Sequence, residues 1–226
     1  MRRHDDKWLS EIFGYPAFRI EVTGEESLDL TAPCFAYAKV DVQDIDAAKT
    51  LTNRGFFIVD TNVSYISTRA MAQNPAENIV IRAAKSEDKD SVRQIAGEAF
   101  SLTRFHADPC IDNAMADQIK SDWAGNYFSG DRGDEMLVAE KGGQVIGFNQ
   151  ILIRDGVAII DLIAVKTSAQ GQGVGKAMMA KLQERYDTLR VGTQLVNKSS
   201  IALYEKMGFC FEKAHYVLHY HGNKEA

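Results

Sequence analysis

Apolar residues recur along the chain in two rhythms, alternate positions and steps of three and four, and the two rhythms take turns. In the first third they predict a strand at Ala17–Val22, a helix across Asp44–Arg54 closed by Gly55 as its C′ glycine, and strands within Phe56–Ile66. A strand follows at Ile79–Arg82, then a helix from Asp88 to Phe100 with Ser86 as its N-cap and Val92, Ile95, Ala96 and Ala99 on one face. A second helix is expected from Ile111 to Trp123, with Met115, Ile119 and Trp123 aligned, and Gly130–Gly133 makes a turn. Strands then run through Met136–Glu140, Val145–Ile153 and Val157–Val165, the first two joined by a hairpin turn over Lys141–Gln144. A helix over Val174–Tyr186, a strand over Leu189–Leu195, a helix over Ser199–Met207 and two strands, Phe209–Lys213 and Tyr216–Tyr220, complete the series. This alternation predicts an α/β (α+β) protein with a mixed central sheet and helices on both faces.

Between Val63–Ile66 and Ile79–Ile81 the pattern turns small, polar and Pro-containing over Met71–Asn78. That segment is read as a boundary between a small N-terminal α/β domain, 1–75, and a larger domain, 76–226. Leu51…Gly55-Phe56 and Leu203…Gly208-Phe209 echo one another, but helix–Gly–strand junctions recur widely enough to explain this. The net charge of −5 argues against general nucleic-acid binding. No apolar run reaches the roughly 20 residues of a membrane span, and Met1–Lys7 lacks the apolar core of an export signal. Cys34, Cys110 and Cys210 are odd in number and far apart, which suits reduced thiols in a cytoplasmic protein and neither a disulfide framework nor a metal site.

The richest segment joins the apolar strand Ile159–Val165 to Gln170-Gly171-Gln172-Gly173-Val174-Gly175-Lys176. Glycines let the backbone approach a ligand, and the unpaired N–H groups opening the next helix suit a pyrophosphate. A Walker loop would need Ser or Thr after Lys176, where Ala177 stands, and a dinucleotide fingerprint needs a different glycine spacing.

Gln170-x-x-Gly173-x-Gly175 resembles the Gln/Arg-x-x-Gly-x-Gly/Ala motif of the GCN5-related N-acetyltransferases (GNATs), and Asn197…Tyr204…Gly208-Phe209 resembles the family's second signature. The resemblance covers about residues 79–221 and implies the GNAT fold with acetyl-CoA as co-substrate. It implies that the backbone of Leu162, Ile163, Ala164 and Val165 pairs with the pantetheine arm, and that Gln170, Gly171, Gln172, Gly173, Val174, Gly175 and Lys176 hold the pyrophosphate. Asn197 would contact the pantetheine, and Tyr204 would protonate the departing thiolate, a task a phenol suits. Where many members carry a glutamate as proton acceptor this chain has Ile159; Asp161 is the candidate in its stead, or an anchor for the strand or the substrate, and His106 a further candidate base.

Three segments resemble the branch of the family that acetylates nucleotide-linked amino sugars such as TDP-fucosamine: Ser101–Pro109 with Trp123–Asn126, Val191–Asn197, and His215–His219. Trp8-x4-Phe13-Gly14 and Gly55-Phe56 resemble the extra N-terminal domain of that branch. The resemblance makes Arg104, Phe105, His106, Trp123, Thr193 and Gln194 candidates for the acceptor site, although Phe105 and Trp123 equally suit core anchors and Arg104 a surface ion pair. The expected function is transfer of acetyl to an amino-deoxy sugar on a nucleotide, in a protein that could pair as a homodimer. The alternatives are a peptide or other small amine as acceptor, and a non-catalytic acyl-CoA-binding regulator.

Overall fold

The computed structural model describes residues 1–23, 29–68 and 78–222. The strands are β1 (Arg2–Asp5), β2 (Ala17–Glu21), β3 (Cys34–Asp41), β4 (Phe57–Ser67), β5 (Val80–Ala83), β6 (Glu135–Lys141), β7 (Gln144–Arg154), β8 (Val157–Val165), β9 (Leu189–Gln194) and β10 (Cys210–Gly222). They form one sheet in the order β1-β2-β3-β10-β4-β9-β8-β7-β6-β5. Two pairs are parallel, β2–β3 and β8–β9. The helices are α1 (Lys7–Phe13), α2 (Ile45–Thr52), α3 (Lys89–Ala99), α4 (Asn113–Ser129), α5 (Val174–Gln183) and α6 (Lys198–Lys206).

Apolar faces explain the layering. Val92, Ile95 and Ala96 of α3 and Ala124 of α4 pack on Val138, Phe148, Leu162 and Ala164. Met179 and Leu182 of α5 and Tyr204 of α6 pack with Ile151, Ile160 and Val191. Each fully buried large aliphatic or aromatic side chain contributes ~1.5–3 kcal/mol, so both layers are held chiefly by their apolar stripes. Gly147 permits the close approach of α5: a Cβ there would stand 2.9 Å from the Ala164 carbonyl and 3.3 Å from Met178.

The N-terminal strands belong to the same sheet. β4 lies between β10 and β9, and β3 runs along β10 for eight residues. The expected boundary at 71–78 lies, apart from Asn78, outside the described residues. Several local expectations change. β1, α1 and β3 have no counterpart in the sequence reading; β3 alternates only over Tyr37–Asp41, because Cys34, Phe35 and Ala36 are all buried. The two final strands are one, since two bulges, between Phe211 and Lys213 and between Val217 and Leu218, let β10 absorb the break in its pattern. Ser86 does not cap α3: it opens a 3-10 turn over Ser86–Asp88, and Asp88 occupies the cap position. The Asp88 carboxylate accepts from Lys85 N and bidentately from Arg82. α4 runs past Trp123 to Ser129, where Gly130 at φ +81° closes it.

Candidate active site

The site begins where two parallel strands separate. β8 and β9 pair only at Ala158–Ile160 with Leu189–Val191; beyond that β9 pairs with β4 alone, and the rest of β8 faces a groove. A bulge helps to direct this edge. Gln150 pairs with Leu162 and Ile151 with Ile160, so Asp161 is the extra residue, and the buried face of β8 switches from the α5–α6 layer to the α3–α4 layer there. The groove measures about 580 Å³ and is lined by Ile163, Ala164, Val165, Gln170, Gly171, Gly173, Val174, Gly175, Lys176, Asn197 and Tyr204. Leu162 lines the neighbouring cleft instead. Gln172 lines neither cavity; its side chain donates to Ser168 O and accepts from Lys141.

Glycine geometry shapes the loop end of the groove. Gly171 and Gly173 hold φ of +77° and +81°, and Gly173 is the N-cap residue of α5 with no capping side-chain hydrogen bond. The first-turn N–H groups are therefore left for an anion, with the helix dipole behind them. Gln170 donates to Val165 O at 3.2 Å, fastening the loop to the end of β8. Asn197 caps α6, its Oδ1 accepting from Ser200 N at 3.2 Å and from Ser199 Oγ at 2.9 Å.

Tyr204 stands where the groove meets a second cavity. Its side chain is 3% exposed, packed near Tyr65 and Phe209, and its hydroxyl is hydrogen-bonded with Ser200. Burial pushes the phenol pKa up to about 12, so it is protonated throughout the physiological range. Gln194 and Asn197 also line both cavities.

The second cavity is a cleft of about 810 Å³ rich in charged side chains. Of the residues named from the sequence as site candidates, Arg104, Phe105, Trp123, Asp161, Thr193 and Gln194 line it and His106 does not. His106 is held outside it, Nδ1 2.7 Å from Thr103 Oγ1 and Nε2 2.9 Å from Asp117 Oδ1. Phe105 is fully buried and serves the cleft mainly as the plane beneath Arg104. Asp161 accepts from both ends of the Arg132 guanidinium at 2.6 and 2.7 Å, from Trp123 Nε1 at 2.9 Å and from Gln150 Nε2 at 3.1 Å. Four donor groups, three of them on Oδ2, hold the Asp161 carboxylate in one orientation at the wall of the cleft.

Three further cleft residues escape the sequence reading: Lys39, Asp60 and Lys120. Lys120 carried a signal, a lysine between Ile119 and Trp123 on the apolar side of α4. Burial lifts the Asp60 carboxyl to about 6, against the lowering effect of hydrogen bonds from Thr61 N–H and the Gln194 side chain. Burial, with Arg104 adding repulsion, drops the Lys120 ammonium to about 7 and lowers Lys39 as well.

Behind Arg104 is a hydrogen-bonded cluster. Asp108 Oδ2 lies 2.6 Å from His219 Nδ1 and 2.8 Å from His221 Nε2, while Arg104 Nη1 lies 3.2 Å from His219 Nε2. A guanidinium has no acceptor, so the Arg104 contact requires His219 to be neutral with its proton on Nδ1. Burial lowers the His219 pKa to about 4, in keeping with that tautomer. The ligand atoms of Asp108, His219 and His221 lie within 4.8 Å of one another, but N–H donation to one carboxylate beside a guanidinium already accounts for the arrangement.

A strand-edge groove ending in a glycine turn at a helix N-terminus, with a buried phenol at the mouth of a polar cleft, defines a coenzyme A-dependent N-acetyltransferase. The chain belongs to the acetyltransferase (GNAT) family, whose model matches residues 91–209, more than half of it. It is similar to the spore coat polysaccharide biosynthesis protein SpsD of Bacillus subtilis, 29% identical over 198 residues that span 85% of this chain and 68% of that one. Two solved structures share the fold. A conserved protein of unknown function from Staphylococcus epidermidis has TM-score 0.61 and 18% identity over 84% of this chain and 73% of its own. A GCN5-related N-acetyltransferase from Sphaerobacter thermophilus has TM-score 0.58 and 13% identity over 83% and 60%. No helix among the described residues is long and apolar enough to cross a membrane.

Proposed function

We propose that this enzyme transfers the acetyl group of acetyl-CoA to the amine of an amino-deoxy sugar carried on a nucleotide. The observation that carries the reading is the meeting of two cavities at Tyr204, Gln194 and Asn197: a glycine-closed groove of coenzyme type and a large polar cleft opening from it. The similarity to a polysaccharide biosynthesis protein supports a sugar acceptor. The cleft is large enough for a sugar with part of its nucleotide.

In this reading the strand edge from Leu162 to Val165 holds the pantetheine, the turn from Gln170 to Lys176 holds the pyrophosphate, and Asn197 borders the pantetheine arm. The neutral amine attacks the thioester carbonyl carbon, and a β8 N–H beyond the bulge stabilises the tetrahedral oxyanion. The C–S bond then breaks, Tyr204 gives its proton to the sulfur, and the amine proton passes to Asp60. Asp60 is one hydrogen bond from Gln194 at the cavity junction and has a pKa suited to accepting a proton near neutrality. Asp161, fixed by Arg132, Trp123 and Gln150, orients the acceptor, with Trp123 and Thr193 as walls.

Turnover of acetyl-CoA measured against nucleotide-linked amino sugars, free amino sugars, peptides and polyamines tests the proposal. Efficient turnover of the nucleotide-linked sugars is expected, and turnover confined to peptides would overturn it.

A further inference from the structure

The cations of the cleft fall into two groups. Arg132 is paired with Asp161, and Arg190 with Glu212. Lys39, Arg104 and Lys120 form no ion pair with a carboxylate among the described residues, although all three line the same cavity. Arg104 is layered between Tyr37, 4.0 Å from its guanidinium carbon, and Phe105, at 4.3 Å; it hydrogen-bonds to the neutral His219 ring, and the adjacent Tyr37 hydroxyl donates to Asp6 at 2.9 Å. The Lys120 ammonium lies 4.5 Å from the Trp123 ring and 5.2 Å from Phe100. Aromatic faces hold the cations in position without neutralising them. Lys39 reaches the cleft from β3 and remains accessible along it.

Three cations brought together from β3, the loop after α3 and α4, none in a direct ion pair, are costly to the free protein, least so at exposed Lys39. Their mutual repulsion is evident: each lysine is held below its ordinary pKa, with Arg104 the largest contributor after burial. The carboxylates facing them are Asp60, opposite Lys39 and Arg104, the clamped Asp161, and, behind Arg104, Asp6 and Asp108, which are already engaged by the Tyr37 hydroxyl and by His219 and His221. An anion of two or more charges is the missing partner.

We infer that Lys39, Arg104 and Lys120 form a built anion subsite that seats the diphosphate of the acceptor. The inference rests on the proposed nucleotide-linked acceptor and assigns the part of it that carries charge. A single carboxylate would leave most of the positive charge unmatched, whereas a diphosphate matches it. This seat is made of side chains and is separate from the backbone seat at α5, which serves the coenzyme's own pyrophosphate. Because the free cluster disfavours the Lys120 ammonium, filling the seat draws a proton onto Lys120.

The test uses the full chain saturated with CoA, so that the α5 seat is already filled, and titrates it calorimetrically with dTDP, UDP, inorganic pyrophosphate and thymidine. Repeating the titration at pH 7.5 in two buffers of different ionisation enthalpy counts protons. The diphosphates should bind with net proton uptake, and thymidine at least tenfold more weakly. Lys120→Met and Lys39→Met should each weaken dTDP at least tenfold, and Lys120→Met should abolish proton uptake. Both should leave CoA affinity unchanged and raise the unfolding midpoint of the ligand-free protein, an effect a merely structural lysine would not produce. Lys120→Gln serves as the second variant should the methionine pack badly. Unchanged KM for a nucleotide-linked amino sugar in both variants would overturn the subsite while the acceptor reading stands. Turnover of free amino sugars only, with no diphosphate binding, would overturn both.

Discussion

Replacing Tyr204 with phenylalanine removes one oxygen from a side chain that is 3% exposed and leaves its ring contacts with Tyr65 and Phe209 in place. The hydrogen bond with Ser200 is the structural loss, ~1 kcal/mol. The chemical loss is larger. A phenol raised to about 12 faces a thiol whose ordinary pKa is about 8.5, so complete proton transfer in water would be uphill by about 5 kcal/mol. The buried mouth of the groove disfavours a bare thiolate as it disfavours a phenolate, and the proton moves as the C–S bond lengthens. Losing such an acid lowers turnover by ~10²–10⁴-fold, or about 3–5 kcal/mol of barrier. Steady-state kinetics of Tyr204→Phe should therefore show that fall in kcat, with the KM for acetyl-CoA within about threefold and the unfolding midpoint nearly unchanged. The pH profile gives a second check. With its phenol near 12, Tyr204 should produce no alkaline limb below about pH 11. A kcat within a few-fold of the parent, or an alkaline limb near pH 8–9 that vanishes in Tyr204→Phe, would refute the reasoning.

Other outcomes follow from packing and charge. Gly147→Ala places a methyl 2.9 Å from the Ala164 carbonyl, which cannot swing aside, so denaturant unfolding should show a loss of ~1–3 kcal/mol; no loss would mean α5 is not seated tightly on β7 and β8. Gly173→Ala meets nothing within 4 Å but forces a φ of +81° on alanine, costing ~1–2 kcal/mol at the loop; calorimetry should show weaker acetyl-CoA binding, and unchanged affinity would detach the loop from the coenzyme. His219, lowered from 6.5 to about 4, contributes stability that is full above pH 6.5 and lost as pH falls toward 4, because the unfolded state binds the extra proton. Asp60, raised from 3.8 to about 6, contributes stability that is full below pH 3.8 and lost as pH rises through 6, so the two slopes oppose one another. Asp60→Asn should unmask the histidine: its urea midpoint should fall more between pH 7 and pH 4.5 than that of the parent, and equal falls would contradict the assignment.

The coenzyme half of the site was legible because its demands are local. Two left-handed backbone positions and a helix start stripped of a capping side chain can be met only by glycines at fixed spacing, and those are written at Gly171 and Gly173. Asn197 entered only through the family resemblance; its capping of α6 was not read from the sequence, which opens that helix at Ser199. Strand periodicity located β6 to β9 within a residue or two. It failed at β3, whose first half is buried on both faces, and at β10, whose bulges interrupt its alternation.

The acceptor half is a product of assembly. Tyr37, Lys39, Asp60, Arg104, Lys120 and Arg132 come from five elements or loops, and no spacing between them carries information until the sheet is ordered. Where a local cue existed it could mislead: His106 adjoins Arg104 and Phe105, yet Thr103, three residues earlier, and Asp117 on α4 turn it away. The N-terminal strands are what make the cleft. β4 lies between β10 and β9 and carries Asp60 and Asn62, and β3 brings Tyr37 and Lys39 beside them. Deleting residues 1–75 would remove a strand from the middle of the sheet and destroy the coenzyme groove with it. The acceptor role proposed for this segment is therefore testable only by point substitution, at Lys39 for the charge and at Asp60 for the proton assigned to them in that proposal.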